Sequence, residues 1–130
     1  MKHSPQRPTP AELEILRVLW TRGPLTVREM HEELGPARDT GYTTVLKLLQ
    51  IMAEKGLVAR DESARAHVYR AVAEETATQK LMVHELLDRA FGGSAAKLVM
   101  QALSSRRATP EEIAGIRQLL DEMETTGGKR

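Results

Sequence analysis

Gly41-Tyr42-Thr43-Thr44-Val45-Leu46-Lys47-Leu48-Leu49-Gln50-Ile51-Met52-Ala53-Glu54-Lys55-Gly56 is the stretch on which the reading of this chain turns. Tyr42, Val45, Leu49 and Met52 recur at spacings of three, four and three, and Leu46 and Leu48 widen that face. This is the period of a helix with one buried side, on which Tyr42 reads as a core anchor beside Val45 and Leu49. Gly56 stands where a helix-ending glycine belongs. Thr43, Lys47, Gln50 and Glu54 recur on another side, with Thr44 beside Thr43. Such a face is either the solvated side of an ordinary amphipathic helix or the reading side of a helix that enters a DNA groove. The chemistry suits the groove. A threonine offers a methyl to thymine and a hydroxyl to a phosphate, a lysine reaches a guanine edge or a phosphate, and a glutamine pairs with adenine.

The flanking segments decide between the two. Upstream, Thr9-Pro10-Ala11-Glu12 combines a capping threonine, a first-turn proline and a glutamate three residues after the cap. A helix follows, with Leu13, Leu16 and Trp20 on one stripe and Ile15 and Leu19 beside it, stopped by Gly23-Pro24. Thr26-Val27-Arg28-Glu29 is a second capping box, and Val27, Met30 and Leu34 mark one face of a short helix ending at Gly35-Pro36. A polar loop, Ala37–Thr40, leads to the helix that opens at Gly41. Downstream, Leu57–Asp61 and His67–Ala71 read as two strands around the turn Glu62–Ala66. Three such helices and a hairpin make a winged helix-turn-helix. Arg60 and Arg65 flank the hairpin turn and His67 lies just beyond, where a wing tracks the DNA backbone. Asp61 and Glu62 share that turn and would repel phosphate, so the wing is expected to add position and affinity, not sequence reading. Thr26, Arg28, Thr43, Thr44, Lys47, Gln50, Arg60, Arg65 and His67 are the candidate DNA contacts.

The second half reads as helical. Glu74 to Phe91 carries Leu81, Leu87 and Phe91 on a broad apolar face, and Gly92-Gly93 ends it. Ser94 can cap a further helix through about Ser104, which includes Leu98. Thr109-Pro110-Glu111-Glu112 repeats the start signal of Thr9. Ile113, Ile116, Leu120 and Met123 follow at three, four and three, a seam that packs against another helix. Helices this few and short bury too little surface alone, and pairing with a second copy is the common remedy. Leu81, Leu87, Phe91, Leu98, Ile113, Ile116, Leu120 and Met123 are the candidate dimer contacts. The fold class is therefore mainly α, an N-terminal winged helix-turn-helix followed by a C-terminal helical dimerisation domain. The segments are a disordered arm at 1–8, a DNA-binding domain at 9–72, a dimerisation domain at 73–126 and a tail at 127–130.

Composition removes other classes. No cysteine is present, which excludes a disulfide framework, a thiolate metal site and a cysteine nucleophile. Four aromatic residues, Trp20, Tyr42, Tyr69 and Phe91, are too few for a stacking platform on single strands. No apolar run approaches the roughly 20 residues of a membrane span. Met1–Pro8 lacks the apolar core of a signal peptide, so a cytoplasmic location is expected. Net charge is +1, but residues 1–72 hold eleven Lys and Arg against nine Asp and Glu, leaving the basic excess in the winged half. His3, His31, His67 and His84 are scattered, and His84 with Asp88 is a spacing common in charged helices. Ser94 follows two glycines with no strand before it, unlike a nucleophile elbow. Neither an enzyme nor a cofactor is expected.

The chain resembles the BlaI/MecI family of transcriptional repressors, the penicillinase repressors. Glu14-Ile15-Leu16-Arg17-Val18-Leu19-Trp20, Thr26-Val27-Arg28-Glu29, Tyr42-Thr43-Thr44-Val45-Leu46 and Lys55-Gly56-Leu57-Val58 carry the likeness. Ala64-Arg65-Ala66-His67-Val68-Tyr69 and Phe91-Gly92-Gly93-Ser94 complete it. The resemblance implies a homodimer that binds a palindromic operator, with Thr43, Thr44 and Lys47 at the DNA and Arg60 and Arg65 on the wing. It also implies release through a membrane-bound metalloprotease sensor, with cleavage at an Asn-Phe bond after the Gly-Ser turn. Gln101-Ala102 stands at the matching place, so that target is missing. The cysteine motif of copper-responsive relatives is absent too. The competing reading is a winged-helix protein-interaction module that never touches DNA. Such modules usually lack both the threonine–lysine face and a dimerising tail.

Overall fold

The computed structural model describes residues 7–35 and 40–127. Residues 1–6 of the expected arm, 37–39 of the expected loop and 128–130 of the expected tail lie outside the described residues. The elements are α1 (Pro10–Arg22), β1 (Leu25–Thr26), α2 (Val27–Leu34), α3 (Tyr42–Lys55), β2 (Val58–Asp61) and β3 (Val68–Ala71), followed by α4 (Glu75–Ala90), α5 (Ala95–Ser105) and α6 (Pro110–Gly127). The chain divides into two compact units, residues 1–84 and 85–130.

In the first unit the caps set the helix starts. Thr9 accepts from the Glu12 N–H at 3.2 Å while the Glu12 carboxylate accepts from the Thr9 N–H at 2.9 Å. Thr26 and Glu29 repeat the exchange at 3.1 and 2.9 Å. Each box satisfies two backbone donors that a helix start leaves open. At the other end of α3, Gly56 takes a left-handed φ of 84°. Leu57 N–H then donates to the Met52 carbonyl at 2.9 Å. This tight exit delivers the chain directly into β2, so the wing begins as soon as the third helix has been closed off.

The sheet is antiparallel with order β1-β3-β2. β3 pairs with β2 through Arg60 with Tyr69 and Asp61 with Val68, and with β1 through Leu25 with Tyr69. The two-residue β1 is an addition to the hairpin expected from sequence. A strand that short has no alternation to read. Ile15, Leu16 and Leu19 from α1, Val27 and Met30 from α2, and Val45, Leu49 and Met52 from α3 form the core with Leu25, Leu57, Val58 and Tyr69. Trp20 packs at its edge and donates its indole N–H to the Ala73 carbonyl at 2.9 Å, where the chain leaves the wing.

Tyr42 departs from expectation. Its spacing places it with Val45, yet it is 48% exposed. Helical side chains lean toward the N-terminus, so a residue in the first turn reaches past the helix start instead of over the core.

Glu12 has a second function beyond capping. It is 2% exposed, and Lys55 Nζ, 43 residues away, donates to both its oxygens at 3.0 and 2.8 Å. Burial pushes the Glu12 carboxyl up, but Lys55 and Thr9 together hold it below its ordinary value. The pair ties the start of α1 to the end of α3.

The second unit is built differently. Ser94 caps α5 by accepting from the Lys97 N–H, and Thr109 and Glu112 form a third capping box at α6. Among the described residues, neither α5 nor α6 has a buried side chain. Leu87, Phe91, Leu98, Ile113 and Ile116 are half-buried, while Leu120 and Met123 are exposed, as are Val99, Met100, Leu103 and Leu119. Leu81, also half-buried, lies on the part of α4 that belongs to the first unit.

Candidate nucleic-acid interface

α3 has the two faces that a reading helix needs. Val45, Leu49 and Met52 are fully buried, whereas Thr43, Thr44, Lys47 and Gln50 are all exposed on the opposite arc. Leu46 and Leu48 lie at the margins and are half-buried. The buried triad fixes the rotation of the helix about its axis, and with it the polar arc that faces outward.

Beside this arc lies an open cleft of about 660 Å³ between the start of α2, α3 and the wing. Six of the nine residues expected at DNA line it: Thr26, Arg28, Gln50, Arg60, Arg65 and His67. Thr43, Thr44 and Lys47 are not in its lining; they lie further round the exposed arc of α3. Tyr42 and Leu46 share the cleft with Gln50, since residues four apart stack along one side of a helix. Among the described residues that line it there is no carboxylate, and there are three arginines. Such a cleft attracts anions.

The wing acids are occupied elsewhere. Asp61 accepts from the Ser63 N–H at 2.9 Å, and this bond holds its carboxyl below the usual range. Glu62 pairs with Arg60 at 2.6 Å. Tyr69, its cross-strand partner, and then Glu62 raise the already high pKa of Arg60. Pairing with Arg60 offsets the charge of Glu62 and spends part of the Arg60 charge in doing so, whereas Asp61, held in its ionised form, keeps its charge at the turn. Arg28, Lys47 and Arg65 have no acidic partner among the described residues. Thr26 uses an oxygen lone pair on the Glu29 N–H and keeps its own hydroxyl proton for another acceptor.

Tyr42 is the residue that sequence reasoning set aside and the structure brings to this surface. The signal available was its place in the first turn of α3. His31 of α2 meets its ring edge-on, with centroids 6.1 Å apart and planes at 78°. His31 Nε2 in turn donates to the Thr40 carbonyl at 3.0 Å, just before α3 begins.

Among the described residues, no three His, Asp or Glu side chains gather as a metal site would require. None of their helices is long and apolar enough to cross a membrane.

The penicillinase repressor family matches residues 8–122. The chain is 35% identical over 121 residues to the transcriptional regulator BlaI of Mycobacterium tuberculosis, covering 92% of this chain and 86% of that relative. It is 27% identical over 122 residues to the penicillinase repressor of Bacillus licheniformis, covering 94% of each. The methicillin resistance regulatory protein MecI of Staphylococcus aureus is 20% identical over 112 residues, with 86% of this chain and 91% of that relative covered. Among solved structures, the solution structure of the DNA-binding domain of the repressor BlaI superposes with a TM-score of 0.51. It is 23% identical and covers 58% of this chain and 92% of that one. That likeness concerns the fold of the winged half.

Proposed function

Because the chain belongs to the penicillinase repressor family, we propose that it is a transcriptional repressor that binds a palindromic operator as a homodimer. Residues 9–72 hold the DNA and residues 73–126 join the two copies. α3 enters the major groove, where Thr43, Thr44, Lys47 and Gln50 meet base edges and flanking phosphates. Arg28, Arg65 and His67, with Thr26, line the neighbouring cleft and take the backbone. Arg60 contributes less, because Glu62 neutralises part of its charge.

The observation that carries this reading is the exposed arc of α3. Four residues with groove chemistry lie opposite a fully buried triad and beside a cleft whose described lining is free of carboxylates. The dimer is supported by the second unit, whose helices α5 and α6 expose Val99, Met100, Leu103, Leu119, Leu120 and Met123 without a buried side chain among their described residues. Self-association covers such a surface with one interface repeated twice. Gln101-Ala102 lies within α5 and offers no Asn-Phe bond there, so cleavage at that bond is not part of this reading.

Selection from a pool of random-sequence duplexes tests the proposal. Enrichment of a two-fold symmetric motif is the expected result. A pool that stays random after repeated rounds overturns it and favours a protein-interaction module.

A further inference from the structure

We infer that Tyr42 is a DNA-backbone contact, its phenol hydroxyl donating to a phosphate that sits in the cleft between α2, α3 and the wing. The inference rests on the DNA-binding reading above and assigns this residue a role within it.

Four observations converge on it. A tyrosine at a core spacing would be covered, yet this one is 48% exposed. It lines the cleft together with Arg28, Arg65 and His67, groups suited to a phosphate. Its hydroxyl has no hydrogen-bond partner among the described residues. Its ring is also held in place, because His31 abuts it edge-on at 6.1 Å and is itself tied to the Thr40 carbonyl at 3.0 Å. An exposed aromatic ring braced by a fixed neighbour loses little rotamer freedom on binding, so its hydroxyl is presented at low entropic cost. A phosphate is the acceptor this setting favours. The lining holds three arginines and, among its described residues, no carboxylate, and a base edge is served by Thr43, Thr44 and Lys47 further round the helix.

A neutral donor has a signature that separates it from the arginines. It releases no counterion, so its removal weakens binding without changing the salt dependence. The test compares wild type and Tyr42→Phe on an operator duplex recovered by selection and on a random-sequence duplex of equal length, across a salt series. Thermal unfolding of both proteins checks that the fold is kept. The expected result is a weakening of about fivefold to tenfold on both duplexes, with the slope of log affinity against log salt unchanged. Binding by Tyr42→Phe within twofold of wild type on both duplexes overturns the inference alone. A weakening confined to the operator also overturns it, since a base contact would then be at work. A wild-type chain that binds neither duplex overturns the DNA reading and this assignment with it.

Discussion

Replacing Lys55 by methionine should destabilise the winged half in a way that fades on acidification. The reason lies in Glu12. Its carboxylate is 2% exposed and accepts two bonds from Lys55 at 3.0 and 2.8 Å and one from the Thr9 N–H at 2.9 Å. Burial alone would raise its pKa, and Lys55 is the largest of the influences that bring it below its ordinary value. Removing one member of a fully buried pair costs about 3–5 kcal/mol, because the other charge is left without compensation. Here Lys55 is 30% exposed and Thr9 stays in place, so about 2 kcal/mol is the reasonable figure at pH 7. For a unit of this size that is a fall in Tm of roughly 10 °C. In the wild type the folded carboxyl lies below its unfolded value of 4.5, so its stabilisation is present above that pH and is lost as pH falls through the folded pKa. In Lys55→Met the folded pKa moves up, because burial acts with less opposition. The variant therefore binds a proton more readily when folded, and acid relieves its penalty. Circular dichroism melts at pH 7 and pH 4 measure this directly. The gap between wild type and variant should shrink by at least half at pH 4. A gap that is constant or wider in acid would show that the pair acts through packing and not through charge.

Other perturbations probe the interface and the dimer. Lys47→Ala should weaken operator binding about tenfold and flatten the salt slope by roughly 0.9 for each phosphate it no longer neutralises, read by fluorescence anisotropy. Arg65→Ala should weaken operator and random duplexes about equally; an effect on the operator alone would give the wing a reading role. Leu120→Asp should dissociate the dimer, and light scattering would report a monomer mass; a surviving dimer would move the interface away from α6. Trp20→Phe deletes the donor to the Ala73 carbonyl and should cost about 1 kcal/mol in urea unfolding.

Much of the fold is written in local chemistry. The capping boxes at Thr9, Thr26 and Thr109 each mark a helix start by residues within one turn, and all of them form in the structure. The rotation of α3 is equally legible, because Val45, Leu49 and Met52 alternate with polar residues at helical spacing. What sequence does not reveal is non-local or terminal. The Glu12–Lys55 pair joins residues 43 apart, and nothing at either position signals the other. β1 exists because Leu25 and Thr26 meet Tyr69 and Val68, so its evidence lies in β3. Tyr42 obeys the helical period, but a period describes an endless helix, and the first turn has an end. The interface is legible only in part for a similar reason. The cationic groups can be named from sequence, whereas the engagement of Arg60 by Glu62 and of Asp61 by Ser63 depends on the shape of the wing turn.

The central claim is that α3 reads DNA while the cleft beside it holds the backbone. An anisotropy titration with a selected palindromic duplex and a scrambled one, each at two salt concentrations, bears on it most directly. Tight binding to the palindrome, at least a hundredfold weaker binding to the scrambled duplex and a steep salt slope on both are the expected result. Micromolar or weaker binding with no preference between the two duplexes would contradict the claim and leave the winged half as a surface for another protein.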